Sequence, residues 1–209
     1  MTTILITGGS GQVGRELLAL AERFPTFRLL APARRELDLT APDSIRRVLA
    51  STAIDYCINC AAYTNVDRAE SEPMEARRVN AAGAGALAEA CAASGIPLLH
   101  LSTDYVYDNQ LNRPLRENDP TTPRSVYAQT KLEGDRLVLD RHANSLVVRT
   151  SWIYSPFGHN FVKTMLRLGR ERPALRVVYD QIGAPTYAHD LARTLLTIIE
   201  RTEQGPGGA

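Results

Sequence analysis

The sequence predicts an α/β protein with a parallel sheet covered by helices on both faces. Two observations support this prediction. Short apolar runs alternate along the chain with stretches of helical periodicity, which is the pattern of strands joined by crossover helices. The first apolar run, ILIT, ends in a glycine-rich turn that opens an amphipathic stretch. A strand, a tight turn and a helix in this order are typical of a doubly wound, Rossmann-type sheet.

The individual elements follow from local patterns. Short apolar runs predict the strands Thr3–Thr7, Arg28–Ala31, Asp55–Cys60, Pro97–Ser102, Ser145–Thr150 and Leu175–Val178. Apolar stripes, proline at a first helical position and glycine after a last one predict the helices. These are Val13–Glu22, a helix begun by Thr40, Pro42 and Asp43 that includes Ile45–Leu49, a helix from Pro73 through Ala81–Ala93 to a stop at Gly95, and Val126–Leu139, Phe161–Arg170 and His189–Ile199.

Two segments interrupt this alternation, Asp108–Arg124 and Ser155–Asn160. Irregular connections of this length inside an α/β domain are typical of functional loops or lids. Residues 1–202 are therefore predicted to form one domain. The last segment, Glu203–Ala209, reads EQGPGGA and is predicted to be a disordered tail.

The composition argues against several classes of partner. The chain has 24 basic and 23 acidic residues, so its net charge of +1 favours neither nucleic acid nor an anionic membrane as a partner. No apolar run is long enough to span a bilayer, and the N-terminus lacks the features of a signal peptide. Three cysteines indicate a reducing compartment rather than a disulfide scaffold. We therefore expect a cytoplasmic location.

Cys57 and Cys60 form a C-x-x-C pair, a spacing that also occurs in redox and zinc sites. Such sites need both sulfurs on one side, whereas residues three apart on a strand point to opposite faces. Buried core cysteines are expected instead. The histidines show no metal-ligand spacing, so no metal site is predicted; they are His100, His142, His159 and His189.

The glycine-rich turn predicts a dinucleotide site. Gly8, Gly9, Gly11 and Gly14 stand between the first strand and the first helix. Small residues allow the backbone to approach a pyrophosphate, and the helix N-terminus supplies free N–H groups with a partial positive charge. Such a turn can also serve only to connect two elements, but its place after the first strand favours NAD or NADP.

The choice of cofactor depends on the end of the second strand. Arg34 and Arg35 precede the first acid there, Glu36. An arginine at this place suits the 2′-phosphate of NADP, whereas an acidic residue would bind the ribose 2′-hydroxyl of NAD. The sequence favours NADP, with NAD as the alternative if both arginines are only solvated surface charges.

Tyr127 and Lys131 lie four residues apart at the start of a predicted helix and therefore share one face. An ammonium near the phenol is expected to lower the tyrosine pKa toward the range of an acid/base catalyst. Thr103 follows the fourth strand, at the edge of the sheet where ligands of such sheets bind. Its hydroxyl is expected to share a substrate carbonyl with Tyr127.

These motifs resemble the extended short-chain dehydrogenase/reductases that act on nucleotide sugars. Finer matches resemble the dTDP-4-dehydrorhamnose reductase family over nearly the whole chain. They are Ala61–Glu70, Ser102–Tyr107, Arg149–Tyr154, Asn160-Phe161 and Asp180–Thr186. The resemblance implies NAD(P)H-dependent reduction of the 4-keto group of dTDP-4-dehydro-L-rhamnose to dTDP-L-rhamnose. It also implies that part of the sugar-nucleotide pocket lies at about residues 151–187.

The resemblance also implies roles for single residues. Tyr127 would protonate the C4 oxygen, assisted by Thr103, while Lys131 holds the ribose and tunes the phenol. Thr103, Asp104 and Trp152 would contact the sugar, although Trp152 is alternatively an aromatic residue at the edge of the core. The expected cofactor contacts are Gly8, Gly11, Gln12, Val13 and Gly14 at the pyrophosphate, Arg34, Asp38 and Leu39 at the adenosine end, and Ala62, Tyr63, Thr64, Tyr127 and Lys131 along the remainder.

The sequence departs from the family at its end, because the family continues past this point with helices that close the pocket. We expect either a truncated or a shortened relative, with a homodimer as one assembly. Two other functions stay open: a related ketoreductase, epimerase or dehydratase, and a non-catalytic NADP-binding regulatory subunit. Dehydratases of the superfamily commonly place Asp-Glu after the threonine, whereas Tyr105 follows Asp104 here.

Overall fold

The computed structural model describes residues 1–107 and 113–205. Its centre is a parallel five-stranded sheet in the order β2-β1-β3-β4-β5. The strands are β1 (Thr2–Thr7), β2 (Phe27–Leu30), β3 (Tyr56–Asn59), β4 (Leu98–Thr103) and β5 (Ser145–Thr150). A separate parallel pair joins β6 (Ile153–Tyr154) to β7 (Thr186–Tyr187).

Helices cover both faces of the main sheet. They are α1 (Gln12–Ala19), α2 (Pro42–Ser51), α3 (Val66–Ser71), α4 (Pro73–Arg77), α5 (Ala84–Ala93), α6 (Val126–Arg141), α7 (Phe161–Glu171) and α8 (Ala188–Gln204). None of them, within the described parts of the chain, combines the length and the apolar character needed to cross a membrane.

Successive side chains of β1 point to opposite faces of the sheet, where two separate cores form. Ile4 and Ile6 pack with α1 and α8 on one face, while Leu5 packs with α2, α5 and Val138 of α6 on the other. Cys57 belongs to the second core and Cys60 packs against the first. The predicted doubly wound fold is therefore confirmed, as is the prediction that the two cysteines point to opposite faces.

Several predicted elements differ from the structure. The predicted strand Leu175–Val178 is wrong, because that run pairs with no described strand and leaves Val177 and Val178 50% and 66% exposed. The short helix α3 and the pair β6-β7 were not predicted. Helix α8 extends through Gln204, so the first two residues of the predicted tail, Glu203 and Gln204, are helical. Residues 108–112 of the predicted irregular segment and 206–209 of the predicted tail lie outside the described residues.

Helix α6, which carries both Tyr127 and Lys131, packs very closely against the turn that joins α4 to α5. Between α4 and α5 the chain makes a π-helical turn at Arg78–Gly83, and a Cβ atom at Gly134 would stand only 2.0 Å from the carbonyl oxygen of Asn80. Because backbone touches backbone here, neither side can move away cheaply. Glycine at position 134 therefore sets the depth at which the helix sits.

Replacing Gly134 with alanine should destabilise the fold by about 1–3 kcal/mol, the usual cost of overpacking. Gly169 in α7 is the matched control, since a Cβ atom there meets nothing within 4 Å. Gly169→Ala should instead stabilise by up to about 1 kcal/mol, because alanine is the better helix former. Urea unfolding of both variants measures the difference, and equal effects would contradict the packing argument.

Candidate active site

The candidate site lies at the carboxyl ends of β1, β3 and β4. The order of strands reverses between β1 and β3, and ligands of open α/β sheets bind in the crevice at such a point. All three predicted catalytic residues and the glycine turn are positioned by elements that end or begin at this edge.

In the glycine turn, backbone segments approach one another so closely that no side chain fits between them. Gly8 has a φ of +67°, and a Cβ atom on it would stand 2.7 Å from the backbone nitrogen of Ala61. A Cβ atom on Gly14 would stand 2.5 Å from the Gly8 carbonyl oxygen. Gly11 begins α1 without a side-chain cap, so the first N–H groups of that helix have no capping side chain. These features fit a dinucleotide pyrophosphate.

The second wall of the crevice is the segment after β3. The backbone N–H of Ala61 donates to the side-chain oxygen of Asn59 at 3.2 Å. Asn80 accepts from the N–H of Tyr63 at 2.7 Å and donates both to the Tyr63 carbonyl at 3.1 Å and to Thr130 at 3.2 Å. Of the predicted cofactor-lining residues Ala62, Tyr63 and Thr64, Tyr63 is thus linked to α6 through Asn80.

The adenosine end of the crevice is polar and open. Arg34 Nε lies 3.3 Å from one carboxylate oxygen of Asp38. The other oxygen accepts hydrogen bonds from the backbone N–H and the hydroxyl of Thr40. Burial acts to raise the pKa of Asp38, but these hydrogen bonds outweigh it and hold the pKa below its usual value. Leu39 and Val13 are buried in the two cores, which leaves their backbone for any contact with a nucleotide.

Tyr127 stands in the first turn of α6. Ser125 caps that helix by accepting from the Ala128 N–H, and Glu70 of α3 accepts from the Val126 N–H at 2.8 Å. The Tyr127 ring meets the edge of Tyr105, with centroids 6.2 Å apart. Local capping and this aromatic contact fix the position of the phenol.

The pKa of Tyr127 is raised to about 12, chiefly by burial. The Thr103 side chain acts in the opposite direction. Lys131 is not among the main causes of this shift. The expectation that the ammonium lowers the tyrosine pKa is therefore not met in this structure, because the lysine is directed elsewhere.

Lys131 is 2% exposed and donates to the Leu101 carbonyl at 2.7 Å. Its Nζ atom also lies 3.3 Å from Nε2 of His100. Burial lowers the pKa of Lys131 to about 8, while Asp135 and Cys60 act to raise it. The lysine is therefore a buried cation at neutral pH that loses its charge in the mildly alkaline range.

Trp152 has a strained backbone, with a φ of +46°. Its indole lies directly under Gly183, where a Cβ atom would come within 2.6–2.9 Å of three ring atoms. The Trp152 side chain acts to lower the pKa of Tyr105, whose ring contacts Tyr127. On the same side, Asp104 accepts from Thr103 at 3.3 Å, and burial raises its pKa. Thr103, Tyr127, Asp104 and Trp152 therefore form one continuous group.

The irregular segment Ser155–Asn160 is attached to α1. Glu16, which is 3% exposed, accepts from Ser155 at 2.6 Å and contacts His189 at 3.2 Å. Asn160 donates to Gln12 at 2.9 Å, at the end of the helix nearest the glycine turn. Sequence reasoning did not identify Glu16, because a single acid in an amphipathic helix looks like a surface residue.

Other positioning residues were missed for similar reasons. Asn59 and Asn80 are each 1% exposed, and both form hydrogen bonds through the oxygen and the nitrogen of the side-chain amide. The place of Asn59 at the end of a predicted strand was a usable signal. Asn80 gave none, since its partners are 17 and 50 residues away.

The comparisons with known proteins agree with this geometry. Residues 1–207 match the family described as RmlD substrate binding domain. A dTDP-4-dehydrorhamnose reductase from Sinorhizobium fredii is 44% identical over 198 residues, which are 95% of this chain and 66% of that protein. The chain thus spans about two thirds of this relative's length.

Two solved structures are similar in fold and sequence. A dTDP-4-dehydrorhamnose reductase from Bacillus anthracis in complex with NADP has a TM-score of 0.92 and 36% identity, covering 97% of this chain and 72% of that one. The corresponding reductase from Clostridium acetobutylicum has a TM-score of 0.91 and 38% identity, covering 95% of this chain and 70% of that one.

The sole tryptophan makes the Gly183 contact measurable. Gly183→Ala should displace the indole, since a Cβ atom at 2.6 Å cannot be accommodated without movement. We expect a shift of the emission maximum and a changed rate of acrylamide quenching, with no change in Gly169→Ala. Spectra identical to the wild type would contradict the placement of residue 183 over Trp152.

Proposed function

This chain belongs to the RmlD substrate binding domain family, and we propose that it reduces the 4-keto group of dTDP-4-dehydro-L-rhamnose to give dTDP-L-rhamnose, with NADPH as the cofactor. The observation that carries the proposal is the grouping of Thr103, Tyr127 and Lys131 at the edge of the sheet beside the glycine turn. The names of the relatives agree with it.

The bound cofactor would supply a hydride to C4 of the sugar. Tyr127 then acts as the acid that protonates the C4 oxygen. A pKa of about 12 keeps its phenol protonated at neutral pH, which is the form that a reduction consumes. The Thr103 hydroxyl, whose side chain acts on the pKa of the phenol, would contact the same oxygen.

Lys131 has one task in this proposal. Its ammonium holds the ribose of the cofactor. This task needs the charged form, which is present below the lysine pKa of about 8 and is lost as the pH rises through it. The reaction should therefore slow on the alkaline side.

The surroundings of Asp104 favour a reductase over a dehydratase. The next side chain is Tyr105, whose ring packs on Tyr127. This position therefore holds an aromatic ring where dehydratases of the superfamily commonly carry a second carboxylate. Asp104 and Trp152 would contact the sugar, within a pocket partly formed by residues 151–187.

The proposal extends to the adenosine end and to the cellular setting. Gly8, Gly11, Gln12, Val13 and Gly14 would hold the pyrophosphate, Arg34 the 2′-phosphate, Asp38 and Leu39 the adenosine, and Ala62, Tyr63 and Thr64 the middle of the cofactor. A cytoplasmic location is supported by three cysteines that are all free. A homodimer stays a prediction from the family resemblance.

The direct test is NADPH oxidation on addition of dTDP-4-dehydro-L-rhamnose. Turnover supports the reductase, whereas cofactor binding without turnover supports a regulatory subunit. Tyr127→Phe should lower kcat by about 10²- to 10⁴-fold, the usual worth of a positioned acid, without weakening NADPH binding. Tyr179→Phe is the control, since that side chain is 96% exposed. Near-normal turnover in Tyr127→Phe would refute its role.

Cofactor preference tests Arg34. The guanidinium is 71% exposed and held by Asp38, ready to meet a 2′-phosphate at the mouth of the crevice. Arg34→Ala should raise the KM for NADPH about tenfold, equivalent to 1.4 kcal/mol, and leave the KM for NADH unchanged. Arg35→Ala is the control, because its side chain is 86% exposed and pairs only weakly with Glu36. Equal changes for both cofactors would contradict the assignment.

A further inference from the structure

A closed group of polar side chains lies behind Lys131, and the proposed chemistry gives it no role. Asn59, His100 and Asp135 are each 1% exposed, and they come from β3, β4 and α6. Burying so many polar groups is costly unless each is well paired. Their hydrogen bonds determine what each of them can do.

The tautomer of His100 is fixed by Asn59. The backbone N–H of Ala61 and the hydroxyl of Thr7 both donate to the amide oxygen of Asn59. Its amide nitrogen therefore faces His100 and donates to Nδ1 at 2.8 Å. Because Nδ1 accepts this bond, the imidazole is neutral and carries its proton on Nε2.

The protonated Nε2 atom of His100 faces two charged groups. It lies 3.7 Å from a carboxylate oxygen of Asp135 and 3.3 Å from Nζ of Lys131. An ammonium has only N–H bonds and cannot accept from it. A second proton on the ring would place another cation beside the lysine. Burial and Lys131 accordingly hold the pKa of His100 well below its usual value.

Asp135 follows Lys131 by one turn of α6. One of its oxygens pairs with Arg149 Nε at 3.2 Å, while the other, Oδ1, has no hydrogen-bond partner among the described residues. That free oxygen lies 3.7 Å from Nε2 of His100, the ring atom that is itself 3.3 Å from Nζ of Lys131. Burial raises the pKa of Asp135, and the charges of Lys131 and Arg149 oppose this rise.

Three other titratable groups near Lys131 are neutral. Burial raises the pKa of the Cys60 thiol to about 12, so the thiol keeps its proton at neutral pH. The Tyr127 phenol is likewise protonated, and His100 is uncharged. Arg149 keeps its charge and pairs with Asp135 at 3.2 Å. Support for a charged lysine therefore comes from Asp135.

We propose that Asp135 and His100 are positioning residues for Lys131. Asp135 keeps the lysine in its ammonium form in a site whose burial would otherwise neutralise it. His100, held by Asn59 in its neutral form with the proton on Nε2, keeps a second positive charge out of the site. The proposal deepens the proposed function, but it concerns the lysine itself and is measurable without substrate or cofactor.

The chain contains only two lysines, Lys131 and Lys163, so the test is direct. Protein labelled with ¹³Cε-lysine should show two resonances in an NMR titration, and Lys163→Arg identifies the one from Lys131. Asp135→Asn should lower the pKa of Lys131 by roughly one unit or more, a tenfold or greater loss of proton affinity. Asp140→Asn, an exposed site on the same helix, should leave it unchanged. An unchanged pKa in Asp135→Asn would overturn the proposal.

A second measurement needs no change at Asp135. It tests the His100 part of the proposal even if the Asp135→Asn variant fails to fold. ¹⁵N spectra of the four histidines, assigned by loss of one signal set in His100→Gln, report the tautomer directly. His100 should remain neutral with its proton on Nε2 from pH 5 to 9. A ring that titrates in this range, or that carries its proton on Nδ1, would refute the arrangement.

Kinetics add a readout that is separate from folding. If the proposed reduction occurs, Asp135→Asn should move the alkaline decline of kcat to lower pH by the same shift that NMR measures. Absence of any turnover in the wild type would refute the proposed function and leave the NMR result to judge Asp135 and His100. A decline that does not move, despite a shifted lysine pKa, would show that the ammonium is not needed.

Discussion

The burial of one ammonium governs how this site is built. Lys131 can remain charged inside the protein only if polar groups compensate its burial; its ammonium donates to the Leu101 carbonyl, and the charge of Asp135 raises its pKa. For these groups to meet, α6 must lie deep against β4. That depth is possible because Gly134 has no side chain at the point where the helix touches the backbone of Asn80.

The same need for close approach shapes the opposite wall. The turn after β1 reaches Ala61 only because Gly8 lacks a Cβ atom and adopts a positive φ. Asn59 connects the two walls, since its oxygen orders the turn beside the crevice and its nitrogen orients His100 under the lysine. The cofactor wall and the catalytic lysine are therefore coupled through one buried amide.

Local sequence patterns predicted most of the sheet because its strands are short apolar runs that alternate with stretches of helical periodicity. They failed at Leu175–Val178, where the apolar run has no neighbouring strand among the described residues to complete its backbone hydrogen bonds. The predicted site residues do gather at one edge, as the rule for parallel sheets requires. The sign of the shift in the Tyr127 pKa was missed, because spacing along a helix says nothing about burial.

By itself, the sequence determined the strand-turn-helix that opens the chain, the tyrosine and lysine on one helix face, and the threonine at a strand end, since these depend on neighbours within a few residues. The tertiary structure alone decided that Lys131 points toward Asp135 and His100, that Trp152 lies under Gly183, and that Glu16 is buried against Ser155. The physical reason is that desolvation and ion pairing depend on groups distant in the chain, whose positions are set only when the elements pack.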